Sequence, residues 1–484
     1  MVAGDASWWL TAGSALALPT VCGALVLLGL IRRSLNLSVL LWCLAGGHLL
    51  GLGLTALIMA LLCRAGFGEN LLLLTSIVVL VISVLVGLWV LRSKRRRESP
   101  MFDLVPEIAA DSPWALRFRQ TFCWSVLLWS GLILALVSSE VLLRPLYPWD
   151  AWSAWSVKAR VWAELGVGID FVGFRQWLAH PDAAVFTNEA WNYPETLPLV
   201  QLWMTGWLKV WDPVAANLPW LTGGLSMMVL IYHSCRLFGA GPLASSVALF
   251  LLTSAPILTT QMALAGYADL WLSASMVLFV ACLTAWIAGW LSPAALCLSL
   301  GLIGSLKLEG LIWVLVCAAA IAASRLPAQI RLGMLIAGGV VTLIWWVVDG
   351  FSFSAAGLEF VLTPQLIEIP YLGRHPLAFS NQLGSLFTAL IELPNWHLVW
   401  VFGAPAAGLA IWRWKGTAQG RGLSAFLLTG LGFLFVLFFF TQAAAWAESM
   451  TASNRLALHL VPAAGLWVAL LLVGQHSFLY NSRR

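Results

Sequence analysis

The segment PWDAWSAWSVKARVWAE, residues 148–164, places four tryptophans around a single aspartate, Asp150. Winding it as an α-helix, at about 100° per residue, puts the tryptophans on one arc and Asp150 opposite the centre of that arc. Lys158 and Arg160 flank the aspartate. Tryptophans anchor helices at membrane surfaces, so we expect the charged face to turn away from lipid. That face meets either water or a cavity, and in a cavity Asp150 is a candidate catalytic carboxylate.

Four further charged residues interrupt apolar stretches. Asp269, in GYADLW, opens an apolar helix, either as a charge favoured by the helix dipole or as a functional carboxylate at the membrane edge. Lys307 and Glu309, in SLKLEGL, either pair as a structural plug or leave Lys307 to bind an anion. Arg455, at the start of the last apolar run, either reaches lipid headgroups or clamps a phosphate. Arg374 is a further candidate cation.

Carboxylates and cations on one side of a membrane, at headgroup depth, suit a reaction on a lipid-linked phosphate. A carboxylate would take a proton from an incoming hydroxyl, and the candidate acids are Asp150, Asp269 and Glu309. The histidines form no HExxH-like pair, which argues against a zinc hydrolase. Cations would neutralise the phosphate leaving group, and the candidates are Lys158, Arg160, Lys307, Arg374 and Arg455.

The elements that carry these residues are membrane helices. The chain of 484 residues is 61% hydrophobic and 10% charged, whereas soluble chains are about 25% charged. Apolar runs of about 20 residues recur throughout, which indicates spanning helices. The net charge of +5 lies in short loops, so it indicates orientation and not nucleic-acid binding.

The basic clusters predict the topology. Placing them in the cytoplasm gives about thirteen crossings, with the N-terminus outside and the C-terminus inside. Two long outer loops, residues 143–215 and 351–394, would carry juxtamembrane helices, and residues 196–211 would lie in the interface without crossing. The predicted crossings are 8–31, 38–62, 70–92, 120–142, 216–236, 241–262, 271–290, 293–306, 309–324, 330–350, 395–412, 423–441 and 456–474.

This topology divides the chain into four parts. Residues 1–92 form three leading helices, residues 93–119 a cytoplasmic linker, residues 120–475 the main membrane module, and residues 476–484 a cytoplasmic tail. The expectation is an all-α polytopic protein of a bacterial inner membrane.

Six motifs, in order, resemble the GT-C superfamily of membrane glycosyltransferases, in particular the branch of the protein O-mannosyltransferases and the aminoarabinose transferase. The resemblance covers residues 120–475. The motifs are YPWDAW, NYPETLPLVQLWMTGWLKVWDPVAANLPWL, RLFGAGPLASSVALFLLTSAPI, GYADLWLSASM, GLIGSLKLEGLIW and NRLALHLVPAAGLW.

The resemblance implies a polyprenyl-phosphate-linked sugar donor, a lipid, glycan or protein acceptor, and inversion at the anomeric carbon. Asp150 would activate the acceptor or, with Asp269, hold a divalent ion such as Mg²⁺ or Mn²⁺. The chain departs from the family pattern in two places. Its first loop has one acid where many members have a pair, and Leu456 stands where a tyrosine usually follows the closing arginine. The alternative readings are a transporter or flippase and a ligase of lipid-linked glycans.

Overall fold

A computed structural model describes residues 5–94, 112–144, 146–180, 184–355, 358–369 and 373–474. Most of the linker predicted at 93–119 and the tail at 476–484 lie outside this part of the chain. The described part is largely helical. Its helices are α1 (Ala6–Leu30), α2 (Leu37–Arg64), α3 (Leu71–Lys94), α4 (Pro113–Leu143), α5 (Ser156–Leu165), α6 (Phe174–Ala179), α7 (Thr196–Leu208), α8 (Pro213–Leu237), α9 (Pro242–Thr253), α10 (Pro256–Ala263), α11 (Ala268–Ile287), α12 (Ala294–Leu306), α13 (Gly310–Arg325), α14 (Ala328–Val347), α15 (Leu383–Phe387), α16 (Leu398–Trp414), α17 (Ala418–Phe440), α18 (Ala444–Glu448) and α19 (Ser453–Val473).

Long apolar helices make the chain an integral membrane protein. Among the described residues, nine helices are long and apolar enough to cross a bilayer, and ten if the bent pair α9–α10 is one span. The shorter apolar helices α12, α13 and α16 account for most of the difference from the predicted thirteen. Helix α7 has 13 residues, about 20 Å at the rise of an α-helix. It is shorter than a hydrocarbon core of about 30 Å, as expected for the segment 196–211.

The crossing predicted as one helix over 241–262 is two helices that meet at 67°. Pro256 occupies the first turn of α10, and Ala255 before it is extended. Proline lacks an amide proton and disfavours the helical conformation in the preceding residue. The sequence SAPI therefore ends one helix and starts another.

The second long loop was expected to carry helices, and this is wrong for its first half. Four strands form an antiparallel sheet in the order β3-β4-β5-β6. The segment FSFSA alternates apolar and polar residues, which is the period of a strand and not of a helix. The strands are β3 (Phe351–Ala355), β4 (Leu358–Leu362), β5 (Leu366–Ile369) and β6 (Gly373–Pro376), while β1 (Asp170–Phe171) and β2 (Val185–Phe186) form a short parallel pair in the first loop.

The leading helices α1 and α2 share one core with the main module. They pack closely because Gly51 lies against the backbone of Pro19, where a Cβ would clash. Hydrogen bonds join α1 to the rest of the bundle: the Trp8 indole donates to Asp212 at 2.7 Å, and the indole of Trp203 donates to the Ala15 carbonyl at 2.7 Å. Helix α11 is buried along almost its whole length. Its first turn carries Asp269.

Candidate functional site

Asp150 lies at the start of an irregular helical segment in the first loop. Residues Ala151–Trp155 form one wide turn in which the Ser156 amide donates to the Ala151 carbonyl, and α5 follows. Gly266, with a φ of +99°, lies against Ala151 so closely that a Cβ would overlap its side chain. This contact brings the start of α11 beside Asp150. Wide turns of this kind are frequent at functional sites.

The uniform α-helix predicted over 149–164 is therefore wrong, and so is the single tryptophan arc. Trp149 and Trp152 are exposed and pack edge to face, with ring centroids 4.6 Å apart. Trp155 and Trp162 are buried within the protein. The wide turn rotates the later residues relative to an α-helical wheel, so only the first two tryptophans remain available to anchor the segment.

Asp269 lies at the centre of a buried charge cluster. One carboxylate oxygen, Oδ1, is 2.9 Å from His459 Nε2 and 3.4 Å from Lys307 Nζ. The other, Oδ2, accepts from Arg455 Nε at 2.7 Å. Its position in the first turn of α11 also favours a negative charge. Every partner of this carboxylate comes from another helix or from a helix end, so Asp269 ties the cluster together.

Arg455 joins the two aspartates. Its Nη2 is 2.5 Å from Asp150 Oδ2, and its Nε binds Asp269. The guanidinium also lies over the ring of Tyr267, 4.6 Å from the ring centroid, where a cation meets the negative face of the aromatic system. A planar guanidinium with several fixed N–H groups can bridge two carboxylates in this way.

Lys307 and Glu309 lie between the short helices α12 and α13, as the predicted hairpin requires. Lys307 is extended, and its Nζ is 3.3 Å from Glu309 as well as 3.4 Å from Asp269. Gly310 approaches the Ile303 carbonyl so closely that a Cβ would clash. The two helices can therefore meet immediately below the turn. The cluster thus contains the predicted pair of Lys307 and Glu309 and, in addition, the contact between Lys307 and Asp269.

Sequence reasoning left out His459 and Trp313. His459 lies four residues after Arg455 on α19, which places both side chains on one face of the helix, and this spacing was the available signal. Trp313 Nε1 is 3.1 Å from His459 Nδ1, and both side chains are fully buried. The indole comes from α13 and no motif marks it, so its role depends on the fold.

The two aspartates differ sharply in burial. The side chain of Asp269 is 1% exposed and has three partners, whereas that of Asp150 is 27% exposed and is paired with Arg455. Asp269 is therefore the fixed anchor of the cations. Asp150 is the carboxylate that a molecule entering from solvent or from the membrane surface can reach.

Two tyrosines border the cluster. Tyr193 packs edge to face on Trp155, 5.2 Å between ring centroids. Burial raises the pKa of Tyr193 to about 12, with nearby Glu309 acting in the same direction. Burial likewise raises the pKa of Tyr267. Both phenols are consequently protonated at neutral pH and add hydroxyl groups, but no charge, to the surroundings of Asp150.

The structure does not bring all the predicted cations together. Lys158 is buried and donates to the carbonyls of Trp191 and Tyr193 at 3.0 and 3.2 Å, so it holds the first loop together. Burial lowers the pKa of Lys158 to about 8. Arg160 is exposed and pairs with Glu164 one turn later at 2.9 Å.

Arg374 is also apart from the contacts of the cluster. It lies on β6, where its Nε is 3.8 Å from Glu368 on β5, and both side chains are well exposed. Lys307 and Arg455 are thus the predicted cations that contact Asp150 or Asp269 within the described part of the chain.

The residues proposed as metal ligands do not fit a divalent ion. Arg455 lies between the carboxylates of Asp150 and Asp269 and occupies an oxygen of each. No group of three or more histidine, cysteine, aspartate or glutamate side chains suited to a metal occurs in the described ranges. Hard divalent ions need several oxygen ligands, and here the oxygens already bind nitrogen cations.

Comparison with known proteins gives no relative. No protein-family model, no curated protein and no solved structure matches the chain.

Proposed function

We propose that the protein is a GT-C-type glycosyltransferase that moves a sugar from a polyprenyl-phosphate donor to an acceptor hydroxyl at the outer face of a bacterial inner membrane. The observation that carries the proposal is the difference between the two aspartates. One carboxylate is reachable, and the other is buried and holds two cations at helix ends. In the proposed reaction, the reachable carboxylate serves as the base, and the cations held by the buried carboxylate stabilise the anionic leaving group.

In the proposed reaction, Asp150 accepts the proton of the acceptor hydroxyl as that oxygen attacks the anomeric carbon. The bond from this carbon to the phosphate oxygen breaks, and its electron pair leaves with the polyprenyl phosphate. Arg455 and Lys307 stabilise the charge that develops on the leaving phosphate. A single displacement inverts the anomeric carbon. No divalent ion takes part.

An apolar groove supports a lipid-linked donor. A cavity of about 780 Å³ runs between α9, α16, α17 and α19. Its floor on α19 extends from Leu460 to Val473, about 20 Å at 1.5 Å per residue. Leu460 is five residues from Arg455, about 8 Å along the axis of α19 and about 140° around it, and Arg455 does not line the groove. The groove therefore offers room for a lipid chain beside the charge cluster but makes no contact with that arginine.

The position of the cluster favours a transferase over a transporter. Asp269 and Arg455 lie in the first turns of their helices, and Lys307 lies in a turn between two helices. Transporters commonly place their substrate contacts near the middle of the membrane. In the proposed topology the N-terminus is outside, the C-terminus is in the cytoplasm, and the cluster faces the outer leaflet.

The test is the Asp150→Asn variant in lipid nanodiscs, assayed with a panel of polyprenyl-phosphate sugars labelled in the sugar. We expect transfer to fall by about 10²–10⁴-fold, because the base is lost, while native mass spectrometry still detects the bound donor. The matched control is Glu164→Gln, an acid of the same segment that pairs with Arg160 on the surface. Unchanged transfer by Asp150→Asn would refute the role of Asp150. Movement of the intact labelled lipid across proteoliposomes without transfer would instead identify a flippase.

A further inference from the structure

The hydrogen bonds around His459 define which of its nitrogens carries the proton. An indole N–H can only donate, so His459 Nδ1 accepts from Trp313 Nε1 at 3.1 Å. The proton of a neutral imidazole then lies on Nε2, which donates to Asp269 Oδ1 at 2.9 Å. The imidazole ring is thus held at Nδ1 by the Trp313 indole and donates through Nε2 to Asp269.

This donation assigns the two oxygens of Asp269 to different partners. Oδ1 faces His459 and Lys307, which leaves Oδ2 to accept from Arg455 Nε. The plane of the carboxylate is therefore fixed, and with it the plane of the guanidinium. Arg455 in turn reaches Asp150 through Nη2. A chain of four hydrogen bonds runs from α13 through α19 and α11 to the first loop.

We infer that Trp313 and His459 form a positioning pair that sets the geometry of Asp150 through Asp269 and Arg455. The inference rests on the proposed function, since it assigns the pair a role in transfer at the same site. Neither side chain is exposed, so the pair acts through Asp269 and not by touching a substrate. In metal sites, removal of the groups that hydrogen-bond to the ligands from behind typically costs 10–100-fold in affinity or activity, and we expect an effect of the same order for this pair.

Trp313→Phe and His459→Leu break the chain at its two inner links, and His459→Gln restores an N–H donor towards Asp269. Trp467→Phe is the matched control, because this equally buried indole on α19 donates to Gln419 at 3.0 Å outside the cluster. We expect kcat to fall about 10-fold or more in Trp313→Phe and His459→Leu. His459→Gln should recover part of the lost kcat, and Trp467→Phe should retain the kcat of the wild type. The KM for the acceptor should not change in any of these variants.

A second measurement does not depend on the proposed reaction. Thermal unfolding midpoints of the single and double variants give the coupling between the two residues. If they form one chain, Trp313→Phe causes little further shift once His459 is leucine. Trp467→Phe should shift the midpoint by the same amount with or without His459, since eight helical residues, about 12 Å, separate the two.

The outcomes separate the two proposals. Wild-type protein that transfers no sugar, together with coupled midpoints, contradicts the proposed function and leaves the hydrogen-bonded pair intact. Additive midpoints for Trp313 and His459 overturn the pair whatever the activity. Equal losses of kcat in His459→Gln, His459→Leu and Trp467→Phe overturn the positioning role, because a general loss of packing would then explain all three.

Discussion

Asp150 and Asp269 bind the same arginine, yet replacing them by asparagine should have very different effects on stability. In Asp269→Asn, a neutral amide replaces the buried carboxylate that compensates the charges of Lys307 and Arg455. Lys307 then keeps Glu309 as its carboxylate partner, and Arg455 keeps Asp150. Removing one partner of a buried ion pair costs about 3–5 kcal/mol when the remaining charge is left uncompensated, and the carboxylates that Lys307 and Arg455 keep make this figure an upper limit here.

In Asp150→Asn the lost pair is partly exposed, and water can solvate what remains. Pairs in contact with solvent contribute about 0–1 kcal/mol. Arg455 also keeps Asp269, its better-buried partner. We therefore expect Asp269→Asn to lose several times more unfolding free energy than Asp150→Asn, although both changes remove one negative charge from the same cluster.

The assay is thermal unfolding of the purified protein in one detergent, followed by intrinsic tryptophan fluorescence. It is repeated at several heating rates, because a midpoint that does not depend on the heating rate reports equilibrium stability. Glu164→Gln is the control for removal of an exposed carboxylate. Equal midpoints for Asp150→Asn and Asp269→Asn would refute the reasoning, since they would mean that the buried aspartate contributes no more to stability than the partly exposed one.

Two further predictions concern pH and metal ions. Burial lowers the pKa of Lys158 to about 8 from its ordinary 10.5. Between pH 8 and pH 10.5 the amine of Lys158 is therefore more fully protonated in the unfolded chain than in the folded protein. The stability of the wild type relative to Lys158→Met should then rise from pH 8 to pH 10.5, by up to about 3 kcal/mol; a difference independent of pH, measured by unfolding at pH 7 and pH 10, would contradict this. Chelation by EDTA should leave sugar transfer unchanged, because Arg455 occupies the space between Asp150 and Asp269. Loss of transfer that Mg²⁺ or Mn²⁺ restores would show that the guanidinium moves aside for a metal.

Much of the fold followed from the sequence because membrane helices depend on local composition. Apolar length predicted the long helices, and the interruption at Lys307 and Glu309 predicted the hairpin of α12 and α13. The break before Pro256 and the sheet after Phe351 were missed, although both have local signals. A count of hydrophobic residues does not register a proline within an apolar run, nor the difference between a period of two and a period of 3.6.

The site was predictable where a charge interrupts an apolar run, because burying a charge without a partner is costly. This argument identified Asp269, Lys307 and Arg455, and both cations contact Asp269 in the structure. It fails for charges within polar loops. There Arg160 pairs with the exposed Glu164 one turn away, whereas Lys158, two residues earlier, is buried and donates to backbone carbonyls. The sequence around them does not distinguish these outcomes.

Neutral members of the network are the hardest to find, for a reason that lies in energetics. A buried charge requires several hydrogen-bond partners, so a charged centre such as Asp269 implies that further donors converge on it, but any helix that packs against α11 can supply them. His459 satisfies this need from α19, and the ring is in turn oriented by Trp313 from α13. Burial of Asp269 thus requires hydrogen-bond donors at particular positions around it, and these donors need not belong to any sequence motif. A search for missing donors around each buried charge, made once helix packing is known, would have identified both residues.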